Sequence, residues 1–215
     1  MKTSTTSTKR SSAAALALGL GLWLGIAAPT AAAETSGARS LIEQTVDQVL
    51  GVLNDPRRSS AQRRLELERI AHARFDFRTM ARLVLSRNWK RLDGKQQDAF
   101  VDEFTTYLAN DYGTRIDRYQ QERVEVTGEE PRPRGDVVVK TRIVGGQNDG
   151  TIVDYRMRER GGQWRIIDVV IEGISLVSNF RDQFGEVISR GGPEDLLRKL
   201  REKNAASQTA LESAS

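Results

Sequence analysis

The chain has 215 residues, of which 38% are apolar and 29% are charged, and its formal net charge is +4. This length and this mixture favour one folded domain with a core over a disordered chain. The absence of cysteine excludes disulfides, a thiol nucleophile and a cysteine-ligated metal. The single histidine, His72, leaves little for a histidine-based metal site or a serine–histidine relay.

Residues 1–33 have the pattern of a secretory signal peptide. Three basic residues precede an uncharged run of 16 residues from Ala13 to Ala28, and small residues then lead to Ala33. The run is shorter than the roughly 20 residues that a membrane-spanning helix needs. We therefore expect cleavage after Ala33 and export. The remainder carries 30 basic and 29 acidic residues, so bulk attraction to nucleic acid is not supported.

Charge is sorted along the chain. Residues 56–92 carry 11 basic and three acidic side chains, whereas residues 93–136 carry 11 acidic and six basic ones. The two segments can neutralise each other within the fold, which is the simpler interpretation. Alternatively, the first segment forms a basic face for anionic head groups or for an acidic partner.

Four helices are predicted in the first half of the chain. Apolar residues recur at helical spacing from Ser40 to Leu53, and Ser59 or Ser60 begins a second helix. A short helix follows the Phe75–Phe77 segment. Asp93 then caps the longest helix in a capping box with Gln96. One face of that helix carries an aromatic stripe, formed by Phe100, Phe104, Tyr107, Leu108 and Tyr112.

The period then changes to two, which is typical of strands. Four strands are predicted, around residues 124–126, 137–144, 152–158 and 164–171, and they are separated by short Gly- and Pro-rich turns. Sequential strands with short turns favour an antiparallel meander with one half-buried face. Helices are predicted again over residues 175–189 and 193–203, on either side of Gly191-Gly192-Pro193. The segment 204–215 is expected to be a disordered tail.

The predicted fold class is α+β, with helices packed on one face of a curled four-stranded antiparallel sheet, and residues 34–203 form one domain. Alternation assigns one apolar side to each strand. The residues of this inward side are Val137, Val139, Thr141, Ile143, Val153, Tyr155, Met157, Trp164, Ile166, Asp168 and Val170.

Large side chains from the aromatic helix and from the sheet are expected to converge on this inward side. Such stripes usually pack into a filled core. A curled sheet can also leave an apolar pocket, and no polar constellation suited to a reacting group lies among these residues. From the residues alone, the choice between a filled and a hollow interior stays open.

The segment from Asp168 to Phe184 reads D-V-V-I-E-G-I-S-L-V-S-N-F-R-D-Q-F and follows the strand motifs V-D-Y-R-M at 153–157 and W-R-I at 164–166. Together with F-D-F at 75–77 and the aromatic helix, it strongly resembles the MlaC / toluene-tolerance family of periplasmic phospholipid-binding proteins. The resemblance covers about residues 42–200. One departure is Phe180, where the family commonly has tyrosine, so a hydroxyl is lost while the packing is kept.

The resemblance implies a cone like that of nuclear transport factor 2, with an apolar cavity for phospholipid acyl chains and with phospholipid as cargo rather than a cofactor. It implies a non-enzymatic carrier in the periplasm that shuttles lipid between an outer-membrane lipoprotein–porin complex and an inner-membrane ABC transporter with an MCE-domain ring. That shuttling would maintain outer-membrane lipid asymmetry. The implied lining is the aromatic stripe together with the inward side of the strands, Asp168 excepted. Gly113 and Gly173 are candidate hinges for opening.

Two other functions remain as alternatives. In an enzyme of the ketosteroid-isomerase type, Asp168 would act as general base near Tyr155; the simpler interpretation is that Asp168 forms a structural hydrogen bond. A lipid-free adaptor that bridges envelope complexes is the other alternative. His72 is expected to be a surface or packing residue.

Overall fold

The computed structural model describes residues 32–116 and 121–213. Five α-helices and five β-strands follow one another along the chain. The helices are α1 Ala32–Leu53, α2 Ser60–Arg74, α3 Phe77–Leu85, α4 Gly94–Ile116 and α5 Leu176–Ser213, with 3-10 turns at Ser86–Arg91 and Pro133–Gly135. The strands are β1 Arg123–Pro131, β2 Val137–Val144, β3 Ile152–Arg160, β4 Gln163–Ile171 and β5 Ile174–Ser175. The predicted signal peptide, residues 1–33, lies almost entirely outside the described residues.

Helix α1 begins earlier than the predicted Ser40. Ala38 is fully buried and Ile42 is 1% exposed, so the first turns already pack on the sheet. Gly37 lies against the indole of Trp164, where an added Cβ would come within 2.9 Å of the ring nitrogen. Tertiary contact of small residues with the sheet therefore extends the helix beyond the segment that periodicity identifies.

Helices α2 and α4 start at the predicted caps. Ser59 and Gln62 form a reciprocal capping box at α2. Asp93 and Gln96 form the predicted box at α4, with the Gln96 N–H 2.8 Å from the Asp93 carboxylate and the Asp93 N–H 3.0 Å from the Gln96 side chain. Each box satisfies backbone donors that the first helical turn leaves without a partner.

The strands form one antiparallel sheet in the order β1-β2-β3-β4-β5, so the predicted α+β class and meander are confirmed. The sheet has five strands rather than four, because two residues beyond the Glu172-Gly173 turn pair back onto β4. A register shift interrupts the β3–β4 pairing between Arg156 and Met157. A β-bulge of this kind reverses the face on which the following residues of one strand lie.

The core consists of two apolar clusters. The helical cluster joins α3, α4 and α5, and it contains the aromatic side chains of Phe100, Phe104, Phe180 and Phe184. The sheet cluster lies between α1 and one face of the sheet, around Ile42, Val139 and Met157. The predicted convergence of the aromatic helix with the sheet is therefore wrong: α4 packs on α3 and α5, and α1 covers the sheet. Periodicity shows which face of a helix is apolar but not which neighbour it meets.

Helix α5 contains the predicted interruption, since Gly192 has φ 77° and ψ 177°, a conformation that side-chain-bearing residues rarely adopt. The expectation of a disordered segment 204–215 is wrong for residues 204–213, which continue the helix. Asn204 is only 5% exposed, and its side-chain amide donates to the Glu103 carbonyl and carboxylate, both at 2.9 Å. Contact with α4 stabilises a segment that composition alone describes as polar and unstructured.

Candidate functional site

One face of the sheet, here called the inner face, is built by side chains that alternate along each strand. Cross-strand pairing places them in rows, as in the row that runs from Val139 through Tyr155 to Val169. Paired residues lie on the same side of a sheet, so each row is continuous across the strands. The inner face includes Val126, Glu129, Val137, Val139, Thr141, Val153, Tyr155, Met157, Trp164, Ile166, Val169 and Ile171.

The inner face is buried at its middle and open at its margin. Val139, Met157 and Ile166 are fully buried beneath α1. Val126, Val153, Tyr155, Trp164 and Ile171 are only partly buried. The protein's own side chains therefore leave part of this apolar face uncovered.

The uncovered part continues to the end of the sheet. Ile174 of β5 pairs with Ile171 and is 62% exposed. An isoleucine that is mostly in water, next to a half-buried apolar face, lengthens the apolar surface accessible from outside. An apolar group that covers this surface gains roughly 25 cal/mol of free energy for each Å² of apolar area removed from water.

Two polar atoms on the inner face lack a protein partner among the described residues. Tyr155 forms no hydrogen bond there, and desolvation by burial raises the pKa of Tyr155 to about 12. Its hydroxyl is therefore protonated at neutral pH and is free to donate. Glu129, which lies opposite Val139 in the same row, has a buried carboxylate oxygen without a hydrogen-bond partner. A bound molecule with a polar group can interact with either atom.

Asp168 is not on the inner face. The bulge pairs it with Arg156 on the opposite side of the sheet. Its carboxylate accepts hydrogen bonds from the Ser175 hydroxyl at 2.6 Å and from the Val177 backbone N–H at 3.0 Å. The expectation of a structural hydrogen bond is thus confirmed. A carboxylate committed to the first turn of α5 gives no support to its role as a general base.

The same bulge corrects the predicted lining of β4. Val170, expected on the inner face, pairs with Asp154 on the other side, and Val169 and Ile171 take its place. Strict alternation cannot reveal an extra residue in one strand, so the error begins where the bulge begins. Eight other predicted residues lie where expected: Val137, Val139, Thr141, Val153, Tyr155, Met157, Trp164 and Ile166. Ile143 lies half-buried at the far end of β2.

The aromatic stripe of α4 lies in the helical cluster and not on the inner face. The rings of Phe100 and Phe104 stack at 5.7 Å, and Phe104 meets Phe180 edge to face at 5.5 Å. Tyr107 packs on Phe180 in the same way at 5.6 Å. Phe100, Phe104, Tyr107, Leu108 and Tyr112 therefore do not join the sheet residues in one lining.

Helix α1 supplies the lining that sequence reasoning missed. Ala38 and Ile42 are buried on the inner face, and Leu41 and Val46 pack beside them. The apolar periodicity of this segment was the available signal, but it did not indicate the sheet as the neighbour. His72 contacts the ring of Phe77 edge-on at 5.4 Å, in agreement with a packing role.

The opposite face of the sheet contains ion pairs. Asp136 is fully buried and accepts hydrogen bonds from Arg156 and Arg158. Burial alone would raise the pKa of Asp136, but the hydrogen bonds from Arg158 and Arg156 outweigh it and lower that pKa below 3.8. A buried carboxylate paired with two arginines therefore lies on the face opposite the inner face.

Within the residues that the structure describes, no helix has the length and apolarity to cross a membrane. The same ranges contain no group of three or more His, Asp or Glu side chains placed to bind a metal ion.

The fold and this face define an α+β protein whose curled sheet carries an apolar inner side, covered by one helix and open at its margin. The chain belongs to the MlaC protein family, whose sequence model matches residues 43–202.

Two curated relatives support this membership. The chain is 27% identical over 100 residues to the toluene tolerance protein ttg2D of Pseudomonas putida, a match that covers 46% of each chain. It is 21% identical over 132 residues to the intermembrane phospholipid transport system binding protein MlaC of Haemophilus influenzae, covering 60% of this chain and 61% of the relative. The matches thus span about half to three fifths of the curated relatives.

One solved structure is similar to this chain over nearly the whole length of the solved protein. The phospholipid-binding protein of Ralstonia solanacearum, determined in complex with a phospholipid, matches with a TM-score of 0.72 and 25% identity. The match covers 80% of this chain and 98% of that one. The two chains therefore share a fold.

Proposed function

We propose that this protein is a phospholipid carrier that binds acyl chains on the inner face of the sheet. The observation that carries the proposal is the partly uncovered apolar surface around Val153, Tyr155 and Ile171, on a fold that holds a phospholipid in the Ralstonia solanacearum protein. An acyl chain is the apolar, variable ligand that such a face accepts without a sharp polar motif.

The energetic need for a carrier follows from the hydrophobic effect. Each methylene buried from water contributes roughly 0.8 kcal/mol, so a diacyl lipid with about 30 methylenes faces on the order of 20 kcal/mol on entering water alone. A protein that offers apolar contact along the chains offsets most of that cost. The open margin of the inner face, with Ile174 at its end, is the proposed route by which the chains enter.

The polar atoms of the inner face support a proposed position for the polar part of the lipid. The Tyr155 hydroxyl is the proposed donor to an ester or phosphate oxygen, because it is protonated and has no partner among the described residues. Gly173 lies at φ 80° in the turn before β5, and Gly113 lies within α4. The turn at Gly173 is the better-placed candidate hinge, since it adjoins Ile174.

The proposed setting is the periplasm, reached through the signal peptide at residues 1–33. There the carrier would move phospholipid between an outer-membrane lipoprotein–porin complex and an inner-membrane ABC transporter with an MCE-domain ring, and so maintain outer-membrane lipid asymmetry. Membership of the MlaC family and the transport-system name of the Haemophilus influenzae relative support this setting.

Native mass spectrometry of the purified protein tests the proposal directly. Co-purified phospholipid is expected. An unliganded mass would favour the adaptor, and turnover of a small molecule would favour the enzyme.

A matched pair of substitutions locates the site. Val153→Glu places a charge on the inner face, and Ile152→Glu places the same charge one residue away, on the exposed opposite face. We expect Val153→Glu to lower lipid occupancy at least roughly tenfold, because an ionised carboxylate is strongly disfavoured against hydrocarbon. Ile152→Glu should retain wild-type occupancy. Equal occupancy in the two folded variants, checked by circular dichroism, would place the lipid elsewhere.

A further inference from the structure

A groove on the outside of the helical cluster is separate from the inner face. It has two adjoining lobes of about 350 and 310 Å³ that share Arg87, Asn88, Gly185 and Ile188. The lobes run between the Ser86–Arg91 turn and α5. No residue of the inner face lines either lobe. We call this feature the α5 groove.

The α5 groove has an apolar floor and a cationic rim. Its floor is formed by Val84, Leu85 and Ile188, each no more than 4% exposed. Its rim carries Arg87, Arg91 and Arg181, and no acidic residue lines either lobe. Of the acidic residues beside Gly185 along α5, Glu186 is paired with Arg190, and Asp182 is exposed outside the lining.

The rim charges remain available to a ligand. Arg181 donates its Nε–H to the Leu83 carbonyl at 3.1 Å, and Arg91 donates to the Asn88 side chain at 3.1 Å, so both keep a net charge with no carboxylate partner. Arg87 is exposed and forms no hydrogen bond or ion pair with any described residue. This contrasts with Arg78 of the same basic segment, which pairs with Asp98 at 2.6 Å.

Two backbone features distinguish the lining of the groove. A Cβ added to Gly185 would meet no atom within 4 Å, so the missing side chain leaves free space in the middle of a helix. Ser86, which lines the second lobe, has φ 50° and ψ −121°. A non-glycine residue in that region is strained, and such strain concentrates at functional sites.

We propose that the α5 groove binds an acidic peptide segment with an apolar anchor residue, presented by a protein that loads or unloads the carrier. The inference rests on the proposed carrier function, because a carrier must be recognised by its partners. The anchor side chain would lie over Gly185 on the apolar floor, and carboxylates would pair with the arginine rim. Charge complementarity of this kind accelerates encounter and selects partners.

The size and chemistry of the groove favour a peptide over other anions. A lobe of 350 Å³ corresponds to about a dozen water volumes at ~30 Å³ each, which suits a few side chains but not two acyl chains. Inorganic phosphate would leave the apolar floor without a contact. In a peptide with both residue types, glutamate can pair with the arginines of the rim while leucine packs on the apolar floor.

The test uses a fluorescein-labelled amphipathic peptide of Glu, Leu and Ala, with fluorescence anisotropy as the readout. Arg87→Glu reverses a rim charge, and Gly185→Leu fills the groove. Arg142→Glu and Gly51→Leu make the same changes at exposed positions outside it. We expect both groove variants to bind the peptide roughly five- to tenfold more weakly and both controls to bind within about twofold of wild type. Added salt should weaken the wild-type interaction.

Three results would overturn the inference. One is equal weakening by the control variants, which would mean non-specific attraction. Another is unchanged affinity for a matched peptide in which glutamine replaces glutamate. The third is displacement of the peptide by inorganic phosphate beyond that caused by sodium chloride at the same ionic strength, or preferential binding to phosphatidylglycerol vesicles at the same residues. Lipid occupancy of the same variants, measured by native mass spectrometry, should stay at the wild-type level. Absence of lipid from the wild type would contradict the carrier function itself, independently of the peptide result.

Discussion

The two apolar clusters of this protein differ in how completely the protein covers them. In the helical cluster, the rings of four residues pair in stacked, tilted and edge-to-face geometries with centroids 5.5–6.1 Å apart: Phe100, Phe104, Phe180 and Phe184. In the sheet cluster, the middle is buried under α1 while the margin stays partly exposed. A fully covered cluster stabilises the fold by itself, whereas a partly exposed one can gain stability from a ligand that covers it. The difference separates the scaffold from the proposed binding face.

The largest effect on stability is expected from a substitution that disrupts the helical cluster. Phe104→Ala removes a fully buried ring that contacts three others, and we expect a loss of about 3–5 kcal/mol in the free energy of unfolding. Urea unfolding gives the value. Lipid occupancy per folded molecule should be unchanged, because Phe104 does not reach the inner face. A variant that stays stable but loses its lipid would reverse the roles assigned to the two clusters.

A smaller effect is expected where the clusters meet. Asp168→Ala leaves the Val177 N–H and the Ser175 hydroxyl without their acceptor, which should cost about 1–3 kcal/mol. Asp168→Asn keeps an acceptor oxygen and should recover part of that loss. Thermal unfolding of both variants measures the difference. If Asp168→Ala matched wild type, the carboxylate would not anchor the start of α5.

The charged outer face of the sheet should make stability depend on pH. The pKa of Asp136 is below 3.8 in the folded state. The ionised carboxylate therefore contributes to the free energy of unfolding above pH 3.8, and this contribution is lost as the pH falls through the folded-state pKa. The melting temperature of the wild type should therefore fall as the pH is lowered below 3.8. Asp136→Asn should be less stable at neutral pH and show a shallower acid dependence. Parallel acid profiles of the two proteins would exclude this carboxylate as the cause.

The smallest effect on stability is expected from a substitution in the sheet cluster. Tyr155→Phe removes a hydroxyl without a described partner, so the free energy of unfolding should change by less than about 0.5 kcal/mol. Release of a fluorescent phospholipid to acceptor vesicles should become roughly two- to tenfold faster, which corresponds to one lost hydrogen bond. In wild type, the phenolate should form only near pH 12. Unchanged release would assign Tyr155 an apolar role alone.

Local patterns in the sequence predicted the elements and most of their faces. Helical spacing, capping residues and strand alternation depend only on neighbours within a few residues, so the Asp93–Gln96 box, the meander and the break at Gly192 could be identified. Alternation likewise identified eight residues of the inner face, up to the point at which the bulge near Arg156 shifts the register.

Tertiary structure alone decided which apolar surfaces meet. The aromatic helix packs on α5, while α1 covers the sheet, because an apolar stripe specifies burial and not the partner that provides it. The bulge that exchanges Val170 for Val169 and Ile171, and the continuation of α5 through Asn204, depend on contacts between residues far apart in sequence. The partly exposed margin of the inner face belongs to the same class, since exposure depends on how the assembled layers cover one another and not on any single segment.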